Sequence, residues 1–202
     1  RTRVKPDHIV NQSPEGTTAH PDNIIVVNPS VVRRPSDGKY LLYFKGNLYD
    51  PYWKGIHGVA LGDSPSGPFK ALNDPVFHVT MNDGKIASAE DPYVWFHKKH
   101  QKFYVVVKDF TGQITKGEPG LALMHSFDGI EWIVPEHSEF MKKEVRLKNG
   151  QVIKMTHLER PQILIDSIGF PRVIYCAGSL VNIGPRKDGL SFNVQIPLTI
   201  IN

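Results

Sequence analysis

The 202-residue sequence is long enough for one domain with a sizeable core, or for a large part of a bigger domain. Hydrophobic residues make up 40% of it and charged residues 22%, which is ordinary for a globular protein. The formal net charge is +4, but lysines and arginines are scattered, so the sequence predicts no nucleic-acid partner. No apolar run approaches the ~20 residues of a membrane-spanning helix, so no membrane partner is predicted either.

Cysteine and histidine usage limits the chemistry further. Cys176 is the only cysteine, which excludes an internal disulfide and a multi-cysteine metal site. Its apolar surroundings favour a buried structural thiol over a nucleophile, which needs a nearby base and a polar setting. The nine histidines include no tight metal-binding spacing such as HExxH, so the sequence predicts no metal ion and no other cofactor.

Short runs rich in Val, Ile, Tyr, Phe and Trp alternate with evenly spread glycine and proline. This pattern is typical of many short β-strands, and no stretch has clear helical periodicity. A first unit begins at Asn28-Pro29 and continues past the Asp37-Gly38 hairpin signal. Its strands are predicted at 31–32, 40–44 and 57–61, with a turn at 64–69 into a fourth, outer segment.

A second unit repeats this order and opens at Asp91-Pro92. Its strands are predicted at 93–96, 103–107 and 120–124, and a turn at 126–132 leads into a fourth. Three pairs of residues recur at one offset between the units: Gly58 and Gly120, Ser64 and Ser126, Gly67 and Gly129. A third unit opens at Arg160-Pro161, with strands predicted at 162–165, 172–176 and 192–201.

A repeat of roughly sixty residues with about four strands predicts an all-β fold of the β-propeller type. The alternative is a β-sandwich whose hairpins resemble one another by accident. A propeller needs at least about four blades to close, so we expect further blades outside this sequence, on its N-terminal side. The whole chain, 1–202, is then a partial propeller domain with blade-like units near 28–80, 91–140 and 160–202.

The residues around the three prolines are the first candidates for a site. In a propeller the first strand of each blade lines the central channel, so Asn28, Glu90, Asp91, Glu159 and Arg160 are expected to converge there. We expect each proline to begin a strand, with the acids just ahead of it. Converging carboxylates raise one another's pKa, and two of them beside a glycosidic bond can hydrolyse it. Each acid taken alone could instead cap a turn or pair with a surface lysine. Arg160 is either a ligand for a sugar or carboxylate or a surface charge.

Three further residues are candidates for substrate contacts. Asp109 follows an inner strand, His125 precedes a turn, and Trp53 lies in an aromatic loop with Tyr49 and Tyr52. The alternative for each is structural: a turn aspartate, a hydrogen-bonded histidine at a strand end, and aromatic packing between blades.

These motifs resemble the five-bladed β-propeller glycoside hydrolases, the clan of family 43 and family 32 enzymes. Asp91-Pro92 and Glu159-Arg160-Pro161 match the Asp-Pro and Glu-x-Pro that open two successive blades in family 43. The segments 57–69 (HGVALGDSPSGPF) and 126–132 (SFDGIEW) resemble blade-closing stretches of that family. The likeness covers roughly residues 28 to 178.

The resemblance implies a glycosidase, secreted or periplasmic, that cleaves oligosaccharides derived from plant or algal polysaccharides with inversion at the anomeric carbon. It implies that Glu159 is the general acid and that Asp91 orients it and tunes its pKa, and it allows a central structural metal ion. The family's catalytic base, an aspartate, has no match, because Asn28 stands in the corresponding position. We expect the base in a further blade. The alternatives are a non-catalytic carbohydrate- or protein-binding propeller and, third, a retaining enzyme whose aspartate nucleophile lies outside this sequence.

Overall fold

The computed structural model describes residues 26–48, 54–84, 86–181 and 190–199. In these ranges the chain forms thirteen β-strands and no helix. The strands of the first sheet are β1 (Val27–Arg33), β2 (Tyr40–Leu48), β3 (Lys54–Gly62) and β4 (Lys70–Ala71). Those of the second are β5 (Ala89–His97), β6 (Lys102–Asp109), β7 (Leu121–Ser126) and β8 (Glu139–Met141). A hairpin of β9 (Glu144–Arg146) and β10 (Val152–Lys154) precedes a third sheet of β11 (His157–Ile165), β12 (Pro171–Ser179) and β13 (Ser191–Pro197).

Within each sheet the strands follow in chain order and pair antiparallel with their neighbours. This confirms the all-β prediction and the order of the strands in the three units. The first two sheets have four strands each, and the third sheet has three strands among the described residues. That these sheets are propeller blades near 28–80, 91–140 and 160–202 stays a prediction. The count of five blades stays a prediction.

The second sheet lies between the other two, and its sequence shows why. The apolar run Val105-Val106-Val107 is buried throughout, because both faces of β6 are covered. Val105 and Val107 belong to a core shared with the first sheet, whereas Val106 belongs to a second core shared with the third sheet. Cys176 lies in that second core, and burial raises the pKa of its thiol to about 12, as expected for a structural cysteine.

The turns that follow the third strands, β3 and β7, lead toward the fourth strand of the same sheet. In the first turn the backbone N–H of Gly67 donates to the carbonyl of Ser64 (3.0 Å), and in the second the N–H of Gly129 donates to the Ser126 hydroxyl (2.8 Å). The carbonyl of Gly129 then accepts a hydrogen bond from the buried Tyr43 hydroxyl of β2 (2.7 Å). The repeated glycines therefore mark equivalent turns, and the second one packs against the first sheet.

The inner strands β1, β5 and β11 lie beside one another and share an irregularity at the same point. Asn28, Asp91 and Arg160 have φ angles of 52°, 56° and 55°, and each is followed by a proline. Strand pairing skips at these positions, which marks a β-bulge in all three strands. A bulge leaves a backbone N–H unpaired, so a proline is tolerated there.

The expectation that each proline begins a strand is therefore wrong. β5 begins at Ala89, two residues before Asp91, and β11 begins at His157. The acids lie inside the inner strands and not ahead of them. Glu90 and Glu159 consequently extend from paired backbone just before a bulge, and Asp91 extends from the bulge itself.

Candidate functional site

The three bulges meet around a small central cavity of about 190 Å³. It is lined by Asn28, Pro29, Asp91, Pro92, Arg160, Pro161 and Gln162. Asp91 is only 6% exposed and accepts hydrogen bonds from the Asn28 side-chain amide and from the backbone N–H of Arg160 (3.2 Å). One carboxylate thus joins the three inner strands.

The surroundings of Asp91 favour its protonated form. Burial is the largest influence and raises its pKa, and the neighbouring charge of Glu90 raises it further. The Arg160 N–H and the positive charges of Arg160 and Lys108 act in the opposite direction without cancelling the rise.

Three carboxylates converge beside this cavity. One oxygen each of Glu90, Asp91 and Glu159 lies within 4.8 Å of the others. The register explains the grouping: Glu90 and Glu159 both stand immediately before a bulge residue, and Asp91 and Arg160 are the bulge residues themselves. The structure therefore brings together all five residues predicted around the prolines, with Glu90 as the counterpart of Glu159.

Two lysines that the sequence reasoning missed hold the glutamates. Lys108 on β6 pairs with Glu90 (3.1 Å) and with Glu159, and Lys45 on β2 pairs with Glu90. All four side chains are largely buried, with 13% to 23% of their surface exposed. Lys45 lies opposite Val27 and Lys108 opposite Glu90, so the two lysines occupy equivalent positions in successive sheets. Their common offset from Asn28 and Asp91 is the signal that could have found them.

Glu159 is held in its ionised form. Burial alone would raise its pKa, but the hydrogen bond and charge of Lys108 outweigh that effect, and His157 adds to the lowering. The Nδ1 atom of His157 lies 2.9 Å from a Glu159 oxygen. Glu159 and Asp91 therefore have pKa values displaced in opposite directions, Glu159 downward and Asp91 upward.

A larger cavity of about 430 Å³ opens next to Glu159. It is lined by His157, Glu159, Arg160, Ala177, Gly178, Ser179 and Ser191. Arg160 lines this cavity and the central one, so it forms the wall between them. A sugar ring in the larger cavity would lie against a carboxylate, an imidazole and a guanidinium.

The other predicted contact residues are placed apart from this group or lie outside the described residues. Asp109 is buried, and its carboxylate accepts hydrogen bonds from the backbone N–H groups of four loop residues, Thr111, Gly112, Ile114 and Thr115. His125 pairs with Tyr104 near the end of β7. Lys108 pairs with Leu121 at the start of that strand, so His125 lies away from the acidic group. The contacts of Asp109 match the structural alternative of a turn aspartate. Trp53 lies outside the described residues.

The acidic group does not fit the central metal ion that the resemblance allows. Carboxylate oxygens suit Ca²⁺ or Mg²⁺, but Glu90 already pairs with Lys45 and Lys108, and Glu159 with Lys108. Lys108 lies between Glu90 and Glu159, where a cation bound by both would have to be.

No protein-family model matches the sequence, and no curated protein matches it. Solved structures resemble the chain. An N-acetylgalactosamine deacetylase from F. plautii, in complex with blood group B trisaccharide, has 13% identity and a TM-score of 0.50 over 85% of this chain and 49% of its own. The catalytic domain of a GH62 α-L-arabinofuranosidase from Coprinopsis cinerea has 14% identity and a TM-score of 0.48 over 85% and 46%. A GH43_1 enzyme from Xanthomonas citri has 20% identity and a TM-score of 0.48 over 77% and 49%.

These neighbours include glycoside hydrolases of families 43 and 62, and the chain spans about half the length of each of these three structures. At such identities the likeness concerns the fold alone. Among the described residues, no helix has the length and hydrophobicity needed to cross a membrane.

Proposed function

We propose that the chain is part of a glycoside hydrolase whose general acid lies where the inner strands meet. The observation that supports this is the convergence of Glu90, Asp91 and Glu159 from two sheets within 4.8 Å, beside a cavity of about 430 Å³. Glycoside hydrolysis needs two carboxyl groups, one to protonate the leaving oxygen and one to activate water or attack the anomeric carbon. The proposed substrates are oligosaccharides derived from plant or algal polysaccharides, and a secreted or periplasmic location stays a prediction.

In this proposal Glu159 is the group that touches the glycosidic oxygen, because its side chain lines the larger cavity. Asp91 is a positioning residue, since it is buried and holds the backbone N–H of Arg160, the residue next to Glu159. Asn28 cannot act as a general base, because an amide does not accept a proton at neutral pH.

Proton donation by Glu159 requires that its pKa rise when a substrate binds. Lys108 and His157 hold it ionised, so the sugar must weaken these contacts. Lys108 has a second acceptor in Glu90, 3.1 Å away, toward which its ammonium group can turn. Separation of Lys108 from Glu159 is thus the proposed step that prepares the acid.

The test is the variant Glu159→Gln in the full-length protein. Natural glycosides need a protonated leaving group, so their hydrolysis is expected to fall at least about 100-fold, the usual contribution of a general acid. Aryl glycosides with good leaving groups, which need little protonation, are expected to lose much less. Glu144→Gln is the matched control, because Glu144 is partly exposed and makes only a long ion pair of 3.9 Å. Undiminished hydrolysis of natural glycosides by Glu159→Gln would contradict the proposal.

A second candidate function is a non-catalytic carbohydrate-binding propeller. The same ion pairs favour it, since Lys45 and Lys108 neutralise both glutamates and leave no ready proton donor among them. This candidate predicts oligosaccharide binding that Glu159→Gln weakens only slightly, with no product formed over long incubation. Release of reducing sugar by the wild-type protein would exclude it.

A further inference from the structure

Of the three bulge residues Asn28, Asp91 and Arg160, only Arg160 has a side chain that makes no hydrogen bond to another of the three. Asn28 donates its side-chain amide to Asp91, and Asp91 accepts from the backbone of Arg160. The Arg160 guanidinium, by contrast, makes no hydrogen bond or ion pair with the described residues, and it is exposed in the wall between the two cavities. The backbone therefore presents a fork of five N–H donors that no described residue occupies.

The two glutamates near Arg160 already have other partners. Glu90 faces Lys45 and Lys108, and Glu159 faces Lys108 and His157. Arg160 affects Asp91 through the charge of its guanidinium, which lowers the pKa of Asp91, and through the hydrogen bond from its backbone N–H. The guanidinium is thus an additional positive charge beside a site whose carboxylates have closer partners.

We propose that Arg160 binds an anionic group on the sugar, a uronic acid carboxylate or a sulfate ester. The inference rests on the proposed function and names the substrate class of that same site. The planar guanidinium matches either oxyanion with two parallel hydrogen bonds, which a lysine cannot do. Because Arg160 and Glu159 are adjacent and line the same cavity, an anion on Arg160 brings the rest of the sugar against Glu159.

The remaining wall of that cavity suits a sugar with one charged group. Ser191 lines it, and the Ser179 hydroxyl there donates to the Val181 carbonyl (2.8 Å) and accepts from the Val181 N–H (3.2 Å), which leaves it one further lone pair. These groups can contact neutral sugar hydroxyls, and among the described residues that line this cavity Arg160 is the one with a permanent positive charge. A neutral sugar would offer the guanidinium only uncharged hydroxyl oxygens, whereas an anionic sugar would supply a charged acceptor that can take two parallel hydrogen bonds.

The test measures binding by calorimetry to the full-length protein. The probes are methyl glucuronide, methyl glucoside 6-sulfate and neutral methyl glucoside. The corresponding three galactose derivatives are measured in the same way. We expect an anionic probe to bind at least about 10-fold more tightly than its neutral parent, since a charged hydrogen bond contributes about 1.5–3 kcal/mol. Arg160→Gln is expected to remove that preference, and Arg160→Lys to restore only part of it. The control is Arg33→Gln, because Arg33 is also exposed and on an inner strand, but at the end of β1 remote from the bulge.

The outcomes separate this inference from the proposed function. A preference for the carboxylate or for the sulfate identifies the group, and either supports the inference if Arg160→Gln abolishes it. Equal affinity for anionic and neutral probes, unchanged in Arg160→Gln, overturns the inference and leaves a neutral-sugar hydrolase intact. Wild-type protein that binds no probe of either class contradicts the inference, and hydrolysis of natural glycosides then decides separately whether the proposed function survives.

Discussion

Replacing Gly129 by alanine tests the packing of the second sheet on the first. A Cβ atom there would overlap Leu41 and lie 2.8 Å from the Tyr43 hydroxyl, and Gly129 has a φ of +78°. The positive φ costs about 1 kcal/mol for alanine, and forcing a methyl group into a packed site costs about 1–3 kcal/mol more. The Tyr43 hydrogen bond to the Gly129 carbonyl, worth about 1 kcal/mol, is also at risk. We expect the free energy of unfolding to fall by about 2–4 kcal/mol.

Gly150→Ala is the matched control for this variant. Gly150 also has a positive φ, +87°, but a Cβ there would have no neighbour within 4 Å. It should therefore lose only the backbone contribution of about 1 kcal/mol. Urea unfolding followed by tryptophan fluorescence measures both. Equal destabilisation of the two variants would refute the packing between the sheets at Gly129.

The remaining predictions concern the ion pairs and the loop beside the site. Lys108→Met should raise the pKa of Glu159, because the hydrogen bond and charge of Lys108 are the main influences that lower it; NMR titration of the Glu159 carboxyl measures this, and an unchanged pKa would contradict the ion pair. A carboxyl whose pKa is lowered by folding stabilises the folded state at pH values above its ordinary pKa, and this contribution is lost as the pH falls. The difference in the free energy of unfolding between wild type and Lys108→Met should therefore be largest near neutral pH and shrink below pH 4.5. Asp109→Ala should lower the free energy of unfolding by about 2–4 kcal/mol, since it leaves four backbone N–H groups without their acceptor. Asp63→Ala, which breaks an ion pair of an exposed aspartate, should leave urea unfolding unchanged, and equal effects of these two aspartate variants would contradict the loop-holding role of Asp109.

Most of the fold could be predicted because its signals are local. Apolar runs of strand length, glycine turns and the offset that relates Ser64 to Ser126 depend on neighbouring residues, and the antiparallel sheets follow from them. The convergence of Asn28, Asp91 and Glu159 also followed, because repetition places equivalent residues at equivalent points. The number of blades is not tested by the described residues.

What the sequence by itself determined is therefore which residues meet: strand periodicity and a repeated proline bring Glu90, Asp91 and Glu159 to one place. Only the tertiary structure decided how they meet, because a β-bulge changes register by one residue and so exchanges the roles of adjacent positions. It made Asp91 a buried acceptor at the bulge and put Glu90 and Glu159 on equivalent sites before it. It also supplied Lys108, whose pairing with two carboxylates from different sheets arises from packing and lowers the pKa of Glu159.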